Sequence, residues 1–247
     1  MRDDARKIAR KGAASLEGVT GAQARVASGP SLAEALHHVA EAERADLLVV
    51  ATSARRRIAG HQPGSVAERI VHHSPCAVAV VPPSDEDPRF ERIGVAVDGT
   101  PGALIALEYA CRLVDQAGGE TSKLRLLHVS PLPGVFTHVP QPGLPAPAPA
   151  PVFDRGRLEE LAAEAAAHGE VDVVEQAGEP AAELVRMSAG LDVLVTGSRD
   201  QGPFKRLVLG SVSTHVVRHA PCPVIVVPAV TGITDGWMTA SARAAGS

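Results

Sequence analysis

Aromatic residues are nearly missing from this chain: one Trp, one Tyr and four Phe in 247 residues. Proteins that hold single-stranded nucleic acid stack bases on aromatic rings, so that class loses its usual platform, and any bound base must sit against aliphatic walls. An excess of charge of one sign is missing too. With 24 basic and 28 acidic residues interleaved to a net charge of −4, no face advertises itself to DNA or to an anionic membrane. No run of 18 uncharged apolar residues occurs, and the start MRDDARKIARKGAAS has charge but no apolar core of an export signal. A soluble, cytoplasmic protein is expected. Cysteine is scarce and odd in number, with Cys76, Cys111 and Cys222 far apart in sequence, which suits a reducing compartment and three small buried hydrophobes. Also missing are Gly-x4-Gly-Lys, GxGxxG and Ser-Gly-Gly phosphate loops, and any acid or His clearly set as base to an attacking group. Designed turnover is not expected, so the chain reads as a binder and not an enzyme.

What is present is concentrated in Val193 to Val212, VLVTGSRDQGPFKRLVLGSV. A strand-forming run breaks at Gly197, crosses a loop with Arg199, Lys205 and Arg206, and meets Gly210-Ser211 ahead of an amphipathic segment. Helix N-termini carry unpaired N–H groups and partial positive charge, so this junction suits a phosphate. The same residues also read as an ordinary junction, with Ser211 as N-cap, Gly210 as a turn residue and the cations solvated.

The rest of the chain alternates strands and helices. Periodicity predicts a helix over residues 3–17, a short strand at Ala22–Ala27, a helix opened by Pro30-Ser31, a buried strand at Leu47–Val50, a helix at Val66–His73 and a strand at Cys76–Val81. After a charged linker at 84–91 come a strand ending in Val97-Asp98-Gly99-Thr100, a helix over 102–117 and a strand at Leu124–Val129. Residues 131–151 hold eight prolines and are expected to be an extended loop. Then follow a helix at 153–168, strand Val171–Glu175, helix 180–189, strand Asp192–Thr196, helix 211–219, strand Cys222–Val227 and a disordered tail over 229–247.

An internal duplication organises this order. Asp46 matches Asp192, Gly64-Ser65 matches Gly210-Ser211, His73 matches His219, Pro75-Cys76 matches Pro221-Cys222, and Pro82 matches Pro228, all at the offset of 146 that separates Asp46 from Asp192. Residues 1–83 and 92–228 are therefore two copies of one domain. The second has five strands and four helices, implying a parallel sheet with right-handed crossovers. The first has no counterpart of residues 92–130, hence no equivalent of Asp98, and Ala51 and Ala54 stand where glycines are expected. Without its first strands, its Leu47–Val50 strand is left with an unpaired inner edge; either more chain precedes it or the partner copy holds it. The apolar last strands, Cys76–Val81 and Cys222–Val227, are expected to pair the copies. The His73/Cys76 and His219/Cys222 pairs supply two ligands per copy where a closed zinc site needs four, so no metal site is assigned.

Together, Val97-Asp98-Gly99-Thr100, Leu127-His128-Val129, Thr196-Gly197-Ser198-Arg199, Leu209-Gly210-Ser211-Val212-Ser213 and the His219-to-Val224 junction resemble the universal stress protein family. Gly197, Gly210 and Ser211 fit its ATP pattern Gly-x2-Gly-x9-Gly-Ser/Thr, with Asp200 standing at the second glycine. The resemblance implies a tandem α/β fold, flavodoxin-like or Rossmann-like, with strand order 3-2-1-4-5 and helices on both faces. ATP, with Mg²⁺ as companion, would lie at the carboxyl ends of strands 1 and 4. By that match Asp98 and Val129 would contact the adenine and ribose end, Gly197, Arg199, Gly210, Ser211 and Ser213 would surround the phosphates, and Val97, Gly99, Thr196, Asp200 and Val212 would complete the nucleotide site. Asp98 also reads as a plain turn residue. The implied role is a stress-response regulatory or sensing module binding an adenine nucleotide, built as an intramolecular pseudo-dimer, with a homodimer left open. A nucleotide-free interaction module of the same fold and a slow ATP-hydrolysing protein are the competing functions.

Overall fold

A computed structural model of the chain describes residues 7, 9–13, 22–52, 65–84, 89–117, 122–131, 153–198 and 210–229. The proline-rich loop beyond residue 131, the basic loop with Arg199 and Asp200, Ala54, Gly64 and the tail beyond residue 229 lie outside the described residues.

Within the first copy, α1 (Leu32–Glu43) leads into β1 (Leu47–Ala51), and α2 (Ser65–Val71) into β2 (Ala77–Val81). Ser31 starts α1 by accepting from the N–H of Glu34. The second copy runs β3 (Arg92–Ala96), α3 (Pro101–Ala117), β4 (Lys123–Ser130), α4 (Arg155–Ala165), β5 (Glu170–Ala177), α5 (Pro180–Ser188), β6 (Val193–Gly197), α6 (Ser211–His219) and β7 (Val224–Val227). Most of these fall within a residue or two of expectation. Helix α4 is shorter, because Asp154 rather than an earlier residue caps it and residues 166–168 already turn. Helix α2 ends two residues early, with His73 in the left-handed region at φ 66°. The strand expected at Ala22–Ala27 is absent: residues 22–29 are irregular and exposed. A strand needs a neighbour, and β1 already ends the sheet on that side.

All seven strands share one sheet, in the order β1-β2-β7-β6-β3-β4-β5. Read from β5, the second copy's strands lie in the order 3-2-1-4-5 and are all parallel. The two copies meet where β2 pairs antiparallel with β7, in the register Val78↔Val226, Ala79↔Ile225, Val80↔Val224. Under the 146-residue offset Ala79 corresponds to Ile225, its own pairing partner, so a local two-fold passes through that pair. A bidentate ion pair from Arg218 of α6 to Glu68 of α2 also crosses the junction.

Strand side chains alternate between two cores. Ile93, Val95, Val193, Val195, Ile225 and Val227 pack under α3 and α4. Val78, Val80, Leu194, Val224 and Val226 pack under α2, α5 and α6. Buried on both faces, parallel strands read as the near-continuous apolar runs seen in the sequence. The three cysteines are free and buried; burial pushes the Cys111 thiol up to about 12 and the Cys222 thiol up to about 11, so both stay protonated at neutral pH. No helix among the described residues is long and apolar enough to cross a membrane.

Two contacts lock the second copy at opposite ends of β6. At its start, the Asp192 carboxylate accepts from the N–H groups of Glu91 and Arg92, both at 2.9 Å, and from the Arg92 guanidinium at 2.6 Å, tying β6 to β3. The last residue of the expected linker is thus part of this junction. At its end, β6 runs against the first turn of α3 so closely that a Cβ at Gly197 would lie 2.1 Å from the carbonyl oxygen of Gly102, and one at Gly102 2.3 Å from that of Ser198. Both obstacles are backbone, so they cannot swing away.

Gly197→Ala is therefore expected to force α3 off the sheet and cost about 1–3 kcal/mol in urea unfolding. The Asp192 carboxyl provides a second test. Burial alone would raise its pKa, but the hydrogen bonds from the Arg92 side chain and from the two backbone N–H groups outweigh it and hold the group below its ordinary value. A depressed folded pKa means stability that is complete above the unfolded value near pH 4 and is lost as pH falls through the folded one. Asp192→Ala should cost about 2 kcal/mol near neutrality, and unfolding at a series of pH values should show that difference shrinking below about pH 4.

Candidate functional site

The sheet order reverses at β3: its neighbours are β4 on one side and β6 on the other, and the helices that follow β3 and β6 lie on opposite faces. A crevice outside the carboxyl ends of these strands is where open α/β sheets take ligands. The register Val95↔Val195 and the bond from the Val97 N–H to the Leu127 carbonyl bring Val97, His128 and Gly197 to one level across the sheet.

Leaving β3, Val97 is buried, and its carbonyl lies 2.9 Å from Nδ1 of His128. Asp98 is exposed. Its Oδ1 accepts from the Thr100 N–H at 3.0 Å and from the Thr100 hydroxyl at 2.6 Å, the Asx turn that starts α3, while Oδ2 has no partner among the described residues. Gly99 must be glycine for two reasons: its φ is +78°, and a Cβ there would lie 2.6 Å from the Phe153 ring. Beside it, β4 supplies Val129, half-buried against the core under α5 and α6, and Ser130, whose hydroxyl lies 3.3 Å from Nε2 of His128.

Sequence reasoning missed Phe153. Its ring packs against His128 at a centroid distance of 4.9 Å and covers the backbone of Gly99. An aromatic wall therefore stands at this end of the site, where aliphatic walls alone were expected. The available signal was its position as a lone Phe directly after the proline-rich stretch.

On the other side of the reversal point the expected phosphate residues divide. Gly197 owes its missing side chain to the contact with Gly102. The Thr196 and Ser213 hydroxyls are buried and lie 3.3 Å apart, and Ser213 donates to the Gly197 carbonyl at 3.1 Å, so both fasten α6 to β6. Gly210, not Ser211, is the N-cap, in extended conformation and with no side-chain cap bond; Ser211 is the first helical residue and is exposed. Val212 is half-buried against the core. The start of α6 thus has no capping side chain of its own at Gly210, the arrangement in which an incoming anion can take the cap's place. Arg199 and Asp200 lie outside the described residues. Among the described residues no three His, Cys, Asp or Glu gather as metal ligands.

Comparison with known proteins matches this chain to the family model "Universal stress protein family" over residues 2–82 and 89–228. It is 32% identical over 187 residues to a universal stress protein of Mycobacterium tuberculosis, covering 74% of this chain and 61% of that protein. It is 38% identical over 106 residues to the stress response protein NhaX of Bacillus subtilis, covering 38% of this chain and 61% of that one. The chain thus spans 61% of the length of each of these relatives. A solved universal stress protein from Archaeoglobus fulgidus overlays with a TM-score of 0.67 at 22% identity, over 93% of this chain and 79% of that one, a likeness of fold. Two separate family matches, one to each repeat, make this chain a member of the universal stress protein family.

Proposed function

We propose that the second copy binds one adenine nucleotide, ATP with Mg²⁺ in the first instance, and that the protein acts as a nucleotide-responsive regulatory module of the stress response. The supporting observation is the convergence, at the point where strand order reverses, of Asp98 with an unpaired Oδ2, the half-buried Val129 and the start of α6 capped only by Gly210. The carboxylate suits a ribose hydroxyl or an exocyclic amino group, and the helix N-terminus suits phosphate. The two copies act in this reading as an intramolecular pseudo-dimer in which only the second carries the site, since the first lacks an Asp98 and a Gly197. The role is binding, without designed turnover.

One observation favours a second reading, a nucleotide-free interaction module. Three of the residues expected in the nucleotide site, Thr196, Gly197 and Ser213, are already used in holding α3 and α6 against β6. Titration calorimetry with ATP separates the two. Nucleotide binding predicts one site per chain, lost in Gly210→Val combined with Asp98→Ala; two equivalent sites, or binding indifferent to both changes, would sink it. Absence of nucleotide binding would establish the module, and product analysis over hours tests the claim of no turnover.

Asp200 gives this reading its metal dependence. A carboxylate about 5 Å from a phosphate oxygen costs roughly 3 kcal/mol per charge pair at an effective dielectric near 20, which a shared Mg²⁺ reverses in sign. ATP should therefore bind weakly without metal and better with Mg²⁺. Asp200→Gly should strengthen metal-free binding and shrink the Mg²⁺ effect, and unchanged affinities in both conditions would remove Asp200 from the site.

A further inference from the structure

Helix α6 carries a pair of histidines that neither the core nor the proposed nucleotide site uses. His215 and His219 are one turn apart, the spacing that sets two side chains side by side on a helix face. Both are exposed, and their rings stack with centroids 4.1 Å apart and planes inclined by 28°. Nδ1 of His219 lies 2.8 Å from the His215 carbonyl oxygen. A carbonyl only accepts, so the proton of the neutral ring is on Nδ1 and Nε2 keeps its lone pair. Metal-binding histidines are held in this way, donating one ring N–H to a carbonyl or carboxylate while the other nitrogen takes the ion. His219 also stands in the last turn of α6, where unpaired carbonyl groups carry partial negative charge and favour a cation. The permanent cation beside it, Arg218, is already paired with Glu68.

The pair occurs once. Of the ten histidines in the chain no other two stand three or four positions apart, and under the 146-residue offset His219 corresponds to His73 but His215 to Arg69. We propose that His215 and His219 form an open surface chelate for one late first-row divalent ion per chain. Nε2 of His219 and a ring nitrogen of His215 bind the ion, and water completes its coordination. Exposure leaves both rings free to turn from the stack onto the ion. Two imidazoles without a carboxylate select ions that prefer nitrogen, Cu²⁺ most tightly and Zn²⁺ and Ni²⁺ less so, and pass over Mg²⁺, which demands oxygen. This ion is therefore separate from any that accompanies a nucleotide, and it sits at the opposite end of α6 from Gly210.

The probe is Cu²⁺, titrated into the full chain in a non-coordinating buffer at neutral pH and followed by calorimetry and electron paramagnetic resonance. One ion per chain is expected in the tightest site, with the spectroscopic signature of two equatorial imidazole nitrogens. His215→Ala or His219→Ala should weaken that site about tenfold or more and leave one nitrogen, the two combined should abolish it, and His38→Ala, at an exposed histidine of α1, should change neither affinity nor signature. His215 and His219 are exposed, so the metal-free variants should match the parent in circular dichroism and thermal unfolding. The nitrogen count on the unmodified chain decides independently of any variant. A signature other than two imidazole nitrogens overturns the proposal, as does a parent that binds Cu²⁺ no more tightly than the combined variant. So does a mass of two chains in light scattering that appears only with Cu²⁺, since the ion would then be shared between chains.

Discussion

The antiparallel pairing of β2 with β7 is the constraint on which the rest of the molecule depends. Two parallel strands alone do not form a stable sheet, and among the described residues the first copy contributes only β1 and β2. Laid against β7, they extend a complete five-stranded sheet and share its core. The all-apolar register about Ala79 and Ile225 lets both strands bury both faces, and the bidentate contact from Arg218 to Glu68 closes the same junction at the helices. Without this pairing two apolar edges would stand open, each a template for aggregation.

A second consequence of duplication is that equivalent residues face different surroundings. Asp192 and Asp46 occupy the same place in their copies, yet one holds the start of a strand by three hydrogen bonds and the other is exposed. Val195 and Val49 divide in the same way. Gly197 and Ala51 show that the second copy is built for a tightly packed helix and the first is not.

At this crevice, packing already uses residues that the resemblance assigns to a ligand. Gly197 and the Thr196 and Ser213 hydroxyls, which the resemblance assigns to the nucleotide site, are also what the fold uses to bring α3 and α6 onto β6. What stays available is backbone at the start of α6, the outer oxygen of Asp98 and the walls formed by Val129 and Phe153. A ligand here would be recognised mainly by main-chain donors and shape.

How much was legible in advance follows from how local each feature is. By itself the sequence determined the alternation of elements, the duplication, the family and the ends of most helices and strands, because apolar periodicity, caps and breakers act over a few residues. It also marked Asp98 and Gly210 as residues at element ends. Only the tertiary structure decided that Ala22–Ala27 is no strand, since its pairing partner would have to come from elsewhere in the chain. The same holds for the reason Gly197 is glycine, which lies with Gly102 nearly a hundred residues away, and for Phe153, whose role is set by the neighbours that β3 and β4 bring to it. These are contacts between distant segments, and no local pattern encodes which segment will arrive.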